Sequence, residues 1–136
     1  MELAQQLASV PLLAGLDERV RKRLAEIGKR RTYAADESIV REGSTGTALY
    51  IVLSGKARVE RDGATIGALG SGDFFGELAL IEEHPRSATV VATEPTECLL
   101  FPAWEFTALL NEHPEVAVPI MRALIARLHR REHHGA

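Results

Sequence analysis

The sequence is short of the residues that announce particular chemistries. It has one cysteine, Cys98, so no internal disulfide can form, and a reducing compartment is implied. Cys98 lies in the apolar run Cys98-Leu99-Leu100-Phe101 and reads as a small core residue. A basic excess is also missing: 16 Lys and Arg against 19 Asp and Glu give a formal net charge of -3. Chains that displace counterions from nucleic-acid phosphates usually carry the opposite balance, so direct DNA binding is not expected. No apolar run approaches the ~20 residues of a membrane-spanning helix. Met1 to Leu16 carries Glu2 early, with neither a basic leader nor a continuous apolar stretch, so it does not read as a secretory signal. A soluble, cytoplasmic chain follows from these absences. Low-complexity segments and internal repeats are missing as well.

Metal chemistry lacks its ligands. Only His84 and His113 lie outside the C-terminal tail, and neither falls in a strand-like run, which argues against a cupin-like enzyme built on clustered histidines. His129 and His133 have the i, i+4 spacing of a helix face, but no third ligand accompanies them, and they read as a solvated tail. No metal and no catalytic cofactor is expected, and the chain is not read as an enzyme.

What is present is one domain's worth of ordinary globular sequence, 136 residues that are 46% hydrophobic and 26% charged. Asp17 to Ile27 opens on a capping residue and spaces Val20, Leu24 and Ile27 as a helix does, with Gly28 as its stop. The pattern then turns to short β-rich runs: Ser38–Arg41, Ala48–Leu53, Ala57–Arg61, Thr65–Leu69, Ala88–Thr93 and Cys98–Phe101. Arg61-Asp62-Gly63 suits a hairpin, and Gly43 to Gly46 and Gly70 to Asp73 read as turns. After Pro102 the helical period returns in two elements, with a kink or break expected near Pro119. The whole is read as a single domain, 1–136: a helix at about 17–28, an antiparallel β-roll at about 30–101 and C-terminal helices at about 102–131, an α+β arrangement of jelly-roll type.

One connection between strands is too long for a hairpin. Phe74 to Ile81 is followed by Glu82-Glu83-His84 and Pro85-Arg86-Ser87-Ala88-Thr89, and an insertion of this length in a compact roll points to function. Gly76 permits close approach of a ligand to the backbone, and Gly76 to Leu80 suits one helical turn whose free N–H groups form an anion site. Arg86 supplies a permanently charged planar fork for phosphate oxygens, and Ser87 a hydroxyl donor beside it. Glu77, acceptor-only when ionised, suits a ribose hydroxyl rather than a phosphate. Together these groups describe a sugar phosphate. Taken singly they allow plainer roles: Arg86 as a surface ion pair with Glu82 or Glu83, Glu77 as a cap of its own turn.

The run Phe75-Gly76-Glu77-Leu78-Ala79-Leu80, followed by Pro85-Arg86-Ser87-Ala88-Thr89-Val90, resembles the phosphate-binding cassette of cyclic nucleotide-binding domains. These are the sensor domains of kinase regulatory subunits, catabolite activator proteins and cyclic nucleotide-gated channels. The likeness extends to Val10–Leu16, Ile39–Gly43 and Leu49–Lys56. It implies that Arg86 and Ser87 hold a cyclic phosphate with backbone N–H groups near Leu78 and Ala79, and that Glu77 holds the ribose 2′-hydroxyl. Val59, Ile66, Leu69 and Leu78 are the implied pocket wall, and Leu124, Ile125 and Leu128 the implied lid. The ligand favoured by the resemblance is cAMP, with cGMP left open because Ser87 suits a guanine amino group too. A second copy of the chain or an effector protein is the expected partner. The alternatives are an unliganded interaction module of the same fold, or the regulatory part of a longer transcription factor, channel or enzyme.

Overall fold

A computed structural model describes residues 3–76 and 84–135. The chain divides into a helical unit, which runs to Glu26 and resumes at Ala108, and a β unit, Ile27–Thr107.

The β unit is an antiparallel β-roll of short strands: β1 (Lys29–Tyr33), β2 (Ser38–Val40), β3 (Thr45–Gly46), β4 (Ala48–Ser54), β5 (Lys56–Arg61), β6 (Ala64–Gly70), β7 (Phe74–Phe75), β8 (His84–Pro85), β9 (Thr89–Ala92) and β10 (Thr96–Pro102). They form two four-stranded sheets, ordered β1-β10-β4-β7 and β2-β9-β5-β6, and the small ladder β3-β8. Side chains alternate across a pleated strand. In the β4–β10 register Tyr50 faces Leu100 and Val52 faces Cys98, and all four join Ile39, Ala57, Phe75, Val90 and Ala92 in one cluster fed by both four-stranded sheets. The alternate residues Leu49, Ile51, Leu99 and Phe101 are fully buried as well, so β4 and β10 are covered on both faces. Phe106 meets Phe101 edge to face, with ring centroids 6.1 Å apart.

The hairpin read from Arg61-Asp62-Gly63 joins β5 to β6. Asp62 (φ 53°) and Gly63 (φ 80°) both take the left-handed conformation that a two-residue primed turn requires. The segment Gly43 to Gly46 is not one turn, as the sequence suggested, because Thr45 and Gly46 pair with Pro85 and His84 to form the β3–β8 ladder.

The helical unit holds α1 (Leu3–Leu7), most of α2 (Glu18–Ile27), the second half of α3 (Ala103–Glu112), a 3₁₀ turn (Pro114–Val116) and α4 (Ala117–Gly135). Asp17 caps α2 by accepting the N–H of Arg19 at 2.7 Å. Val20 and Leu24, the periodic apolar positions, are buried, as are Leu109, Val116 and Ile120. Pro119 lies within α4. The helix begins at Ala117, which puts Pro119 in its first turn, where backbone N–H groups have no intrahelical acceptor to lose. The break expected near Pro119 lies a few residues earlier, at the 3₁₀ turn that starts with Pro114. Among the described residues no helix is long and apolar enough to cross a membrane.

Candidate functional site

Arg86 is rooted before it reaches anything. Its N–H donates to the carbonyl of Ser44 and its own carbonyl accepts the N–H of Gly43, each at 2.8 Å, which extends the β3–β8 ladder by one residue. The loop that receives it is tied in turn to the hairpin: a Glu42 carboxylate oxygen accepts the N–H of Asp62 at 3.1 Å, and the N–H of Glu42 donates to the Thr89 hydroxyl at 2.9 Å. From that root the side chain runs inward. Nη2 donates to the carbonyl of Ala48 at 3.0 Å, and the guanidinium carbon stands 5.5 Å from the centroid of the Tyr50 ring.

Gly76 and Arg86, ten positions apart in the chain, come together here. A Cβ on Gly76 would lie 2.4 Å from Nη1 of Arg86 and 2.7 Å from the carbonyl of Ala48, and Gly76 has φ +83°, so both space and backbone demand glycine. Gly46 is a member of the site that the sequence concealed, since it reads as one more turn former. A Cβ there would fall 2.0 Å from Nε of Arg86. No strand-like run in the sequence includes Gly46, and only its pairing with His84 places it in a strand.

A cavity of about 270 Å³ opens beside the guanidinium, lined by Arg86, Arg41, Tyr50 and the hydroxyl residues Ser38, Ser44 and Thr45 among others. Two arginines and three hydroxyls make this wall suited to an oxyanion. Ser87 is exposed, and its carbonyl accepts Nε of Arg61 at 2.9 Å, which brings a further cation to the cassette's rim.

The other expected site residues fall in different places. Val59 and Leu69 are half-buried and packed against the central cluster. Ile66 is 51% exposed. It is the extra residue where the β5–β6 register slips between Val59, paired with Gly67, and Glu60, paired with Thr65. Leu124 is half-buried and Ile125 is 53% exposed, both on α4. Glu77, Leu78 and Ala79, and the side chain of Leu128, lie outside the described residues. Among the described residues no cluster of three histidine, cysteine or carboxylate side chains is placed to hold a metal ion. Burial pushes the Cys98 thiol up to about 12, and the Tyr33 hydroxyl also to about 12.

Residues 30–113 match the family described as cyclic nucleotide-binding domain. The chain is 39% identical over 105 residues to the cyclic AMP receptor protein of Thermus thermophilus, a match that covers 74% of this chain and 49% of that protein. It is 35% identical over 117 residues to the cAMP-dependent protein kinase regulatory subunit of Schizosaccharomyces pombe, covering 85% of this chain and 27% of the subunit. It therefore spans less than half the length of either curated relative. Among solved structures, the catabolite activator protein of Thermus thermophilus superposes with a TM-score of 0.81 at 36% identity, over 91% of this chain and 61% of that one.

Proposed function

The chain belongs to the cyclic nucleotide-binding domain family, and from that membership we propose that it is a non-catalytic sensor module that binds a cyclic nucleotide, cAMP in preference to cGMP. In this reading the Arg86 guanidinium and the Ser87 hydroxyl take the cyclic phosphate, together with backbone N–H groups from Gly76 to Ala79. The Glu77 carboxylate accepts from the ribose 2′-hydroxyl. Val59, Ile66, Leu69 and Leu78 supply apolar surface for the base, and Leu124, Ile125 and Leu128 of α4 close over it. Ligand shifts the closing equilibrium only by its differential affinity for the closed form. The module works in the cytoplasm and passes its state to a second copy or to an effector protein.

The observation that carries this reading is the direction of Arg86. A permanent cation held inward between two glycines, with its fork turned toward the start of the cassette at Gly76, supports the reading because such a fork suits an anion. The preference for cAMP rests on the names of the relatives, a cyclic AMP receptor protein and a cAMP-dependent kinase subunit.

Titration calorimetry with cAMP, cGMP and linear 5′-AMP tests both parts. Saturable binding of cAMP, weaker binding of cGMP and none of 5′-AMP is the expected result. Tighter binding of cGMP would reverse the base preference, and no response to either cyclic nucleotide would leave an interaction module that works unliganded.

A further inference from the structure

The Arg86 side chain is enclosed by groups that are not phosphate ligands. A planar cation over an aromatic face, at the 5.5 Å seen between Arg86 and Tyr50, is attracted by the ring's quadrupole. That ring is itself fixed. Tyr50 stands opposite Phe75 in the β4–β7 register and stacks on it, with centroids 4.8 Å apart and planes 9° from parallel. Both rings are buried, Tyr50 at 9% exposure and Phe75 at 6%. Gly46 closes in on the same arginine, 2.0 Å from Nε to the place of a missing Cβ. Its φ is not in the left-handed region, so what requires glycine at this position is room alone.

We infer that Tyr50 and Gly46 are positioning residues, which form a slot that fixes the Arg86 guanidinium, so that nucleotide affinity depends on them although they act only through Arg86. The inference rests on the reading of Arg86 as the phosphate-binding group. It assigns the work at residue 50 to the aromatic face and not to the hydroxyl, and the work at residue 46 to an absence of side chain. Substitution at Gly46 is a clean probe, because the obstructing group is the far end of a flexible arm, and the arm yields before the backbone does.

The test is cAMP binding by calorimetry, with urea unfolding in parallel, on the wild type, Tyr50→Phe, Tyr50→Leu and Gly46→Ala, each also combined with Arg86→Ala. Tyr50→Phe is expected within about twofold of wild-type affinity, because the face that meets the cation is kept. Tyr50→Leu is expected to weaken binding about three- to thirtyfold, and Gly46→Ala about tenfold with an unfolding midpoint close to wild type. In the Arg86→Ala background neither substitution should change affinity further. Wild-type affinity in Tyr50→Leu and Gly46→Ala overturns the inference, and so does a loss that persists undiminished once Arg86 is gone. If the wild type binds no cyclic nucleotide, the proposed function falls instead. The slot is then judged by the unfolding cycle between Tyr50→Leu and Arg86→Ala, where coupled effects support it and additive effects overturn it.

Discussion

The two faces of strand β4 carry different loads. One face presents Leu49 and Ile51, both fully buried opposite Phe101 and Leu99. The other presents Tyr50 and Val52 to the cluster between the sheets, and it ends against the guanidinium of Arg86. Residues adjacent in sequence thus meet different neighbours: Ile51 only packs, whereas Tyr50 packs and also faces a charge. Position along the strand says less about a residue's task than the face it occupies.

The largest expected effect falls on the packing face. Ile51→Ala should destabilise the fold by about 2–5 kcal/mol, as buried large-to-small changes do, and leave the affinity of the remaining folded molecules unchanged. Urea unfolding and calorimetry on the same sample separate the two quantities. A loss of affinity larger than the unfolded fraction explains would break the division between the faces.

Arg86→Ala should do the reverse. Loss of a charge-assisted contact worth about 1.5–3 kcal/mol corresponds to a cAMP affinity lower by about one to two orders of magnitude. The unfolding midpoint should move less than for Ile51→Ala, and unchanged affinity would remove Arg86 from the site.

The smallest effect sharpens the comparison at the buried end of the cluster face, where Cys98 pairs with Val52. Burial holds its thiol neutral up to about 12, whereas an unfolded thiol ionises near 8.5. As pH rises, the unfolded chain loses this proton first, so the contribution is complete below about pH 8.5 and is lost progressively toward pH 12. Unfolding midpoints taken from pH 7 to pH 10 should fall more steeply for the wild type than for Cys98→Val. Parallel slopes would mean that water reaches the thiol. A thiol reagent at pH 8 should modify the native protein slowly and the urea-unfolded chain fast.

How much of this was legible in the sequence depended on how local each cause is. β4, β5, β6, β9 and β10 announce themselves through apolar runs or alternation, and Asp62-Gly63 through the only backbone its turn allows. β1 was missed because Lys29, Arg30, Arg31 and Thr32 are exposed on an edge strand and carry no apolar period. The two-residue strands β3, β7 and β8 were missed because pairing defines them, not pattern. The break expected near Pro119 falls at the 3₁₀ turn Pro114–Val116, because Pro119 lies in the first turn of α4, where a proline costs no helical hydrogen bond. At the site, the likeness of the cassette singled out Gly76 and Arg86, whose contact spans few residues. The contacts of Arg86 with Gly46 and Tyr50 span about forty positions, and no local pattern records them.

Arg86 has spent both of its main-chain hydrogen-bonding groups on Gly43 and Ser44, so its arm swings from an anchored shoulder. The length of the 42–44 loop is therefore as strict a requirement as any pocket residue. One residue added to or removed from it would move the shoulder by a whole step of the ladder and withdraw the charge from the proposed phosphate site while every side chain there kept its identity. Variation of this domain should accordingly tolerate substitution at these loop positions far better than insertion or deletion.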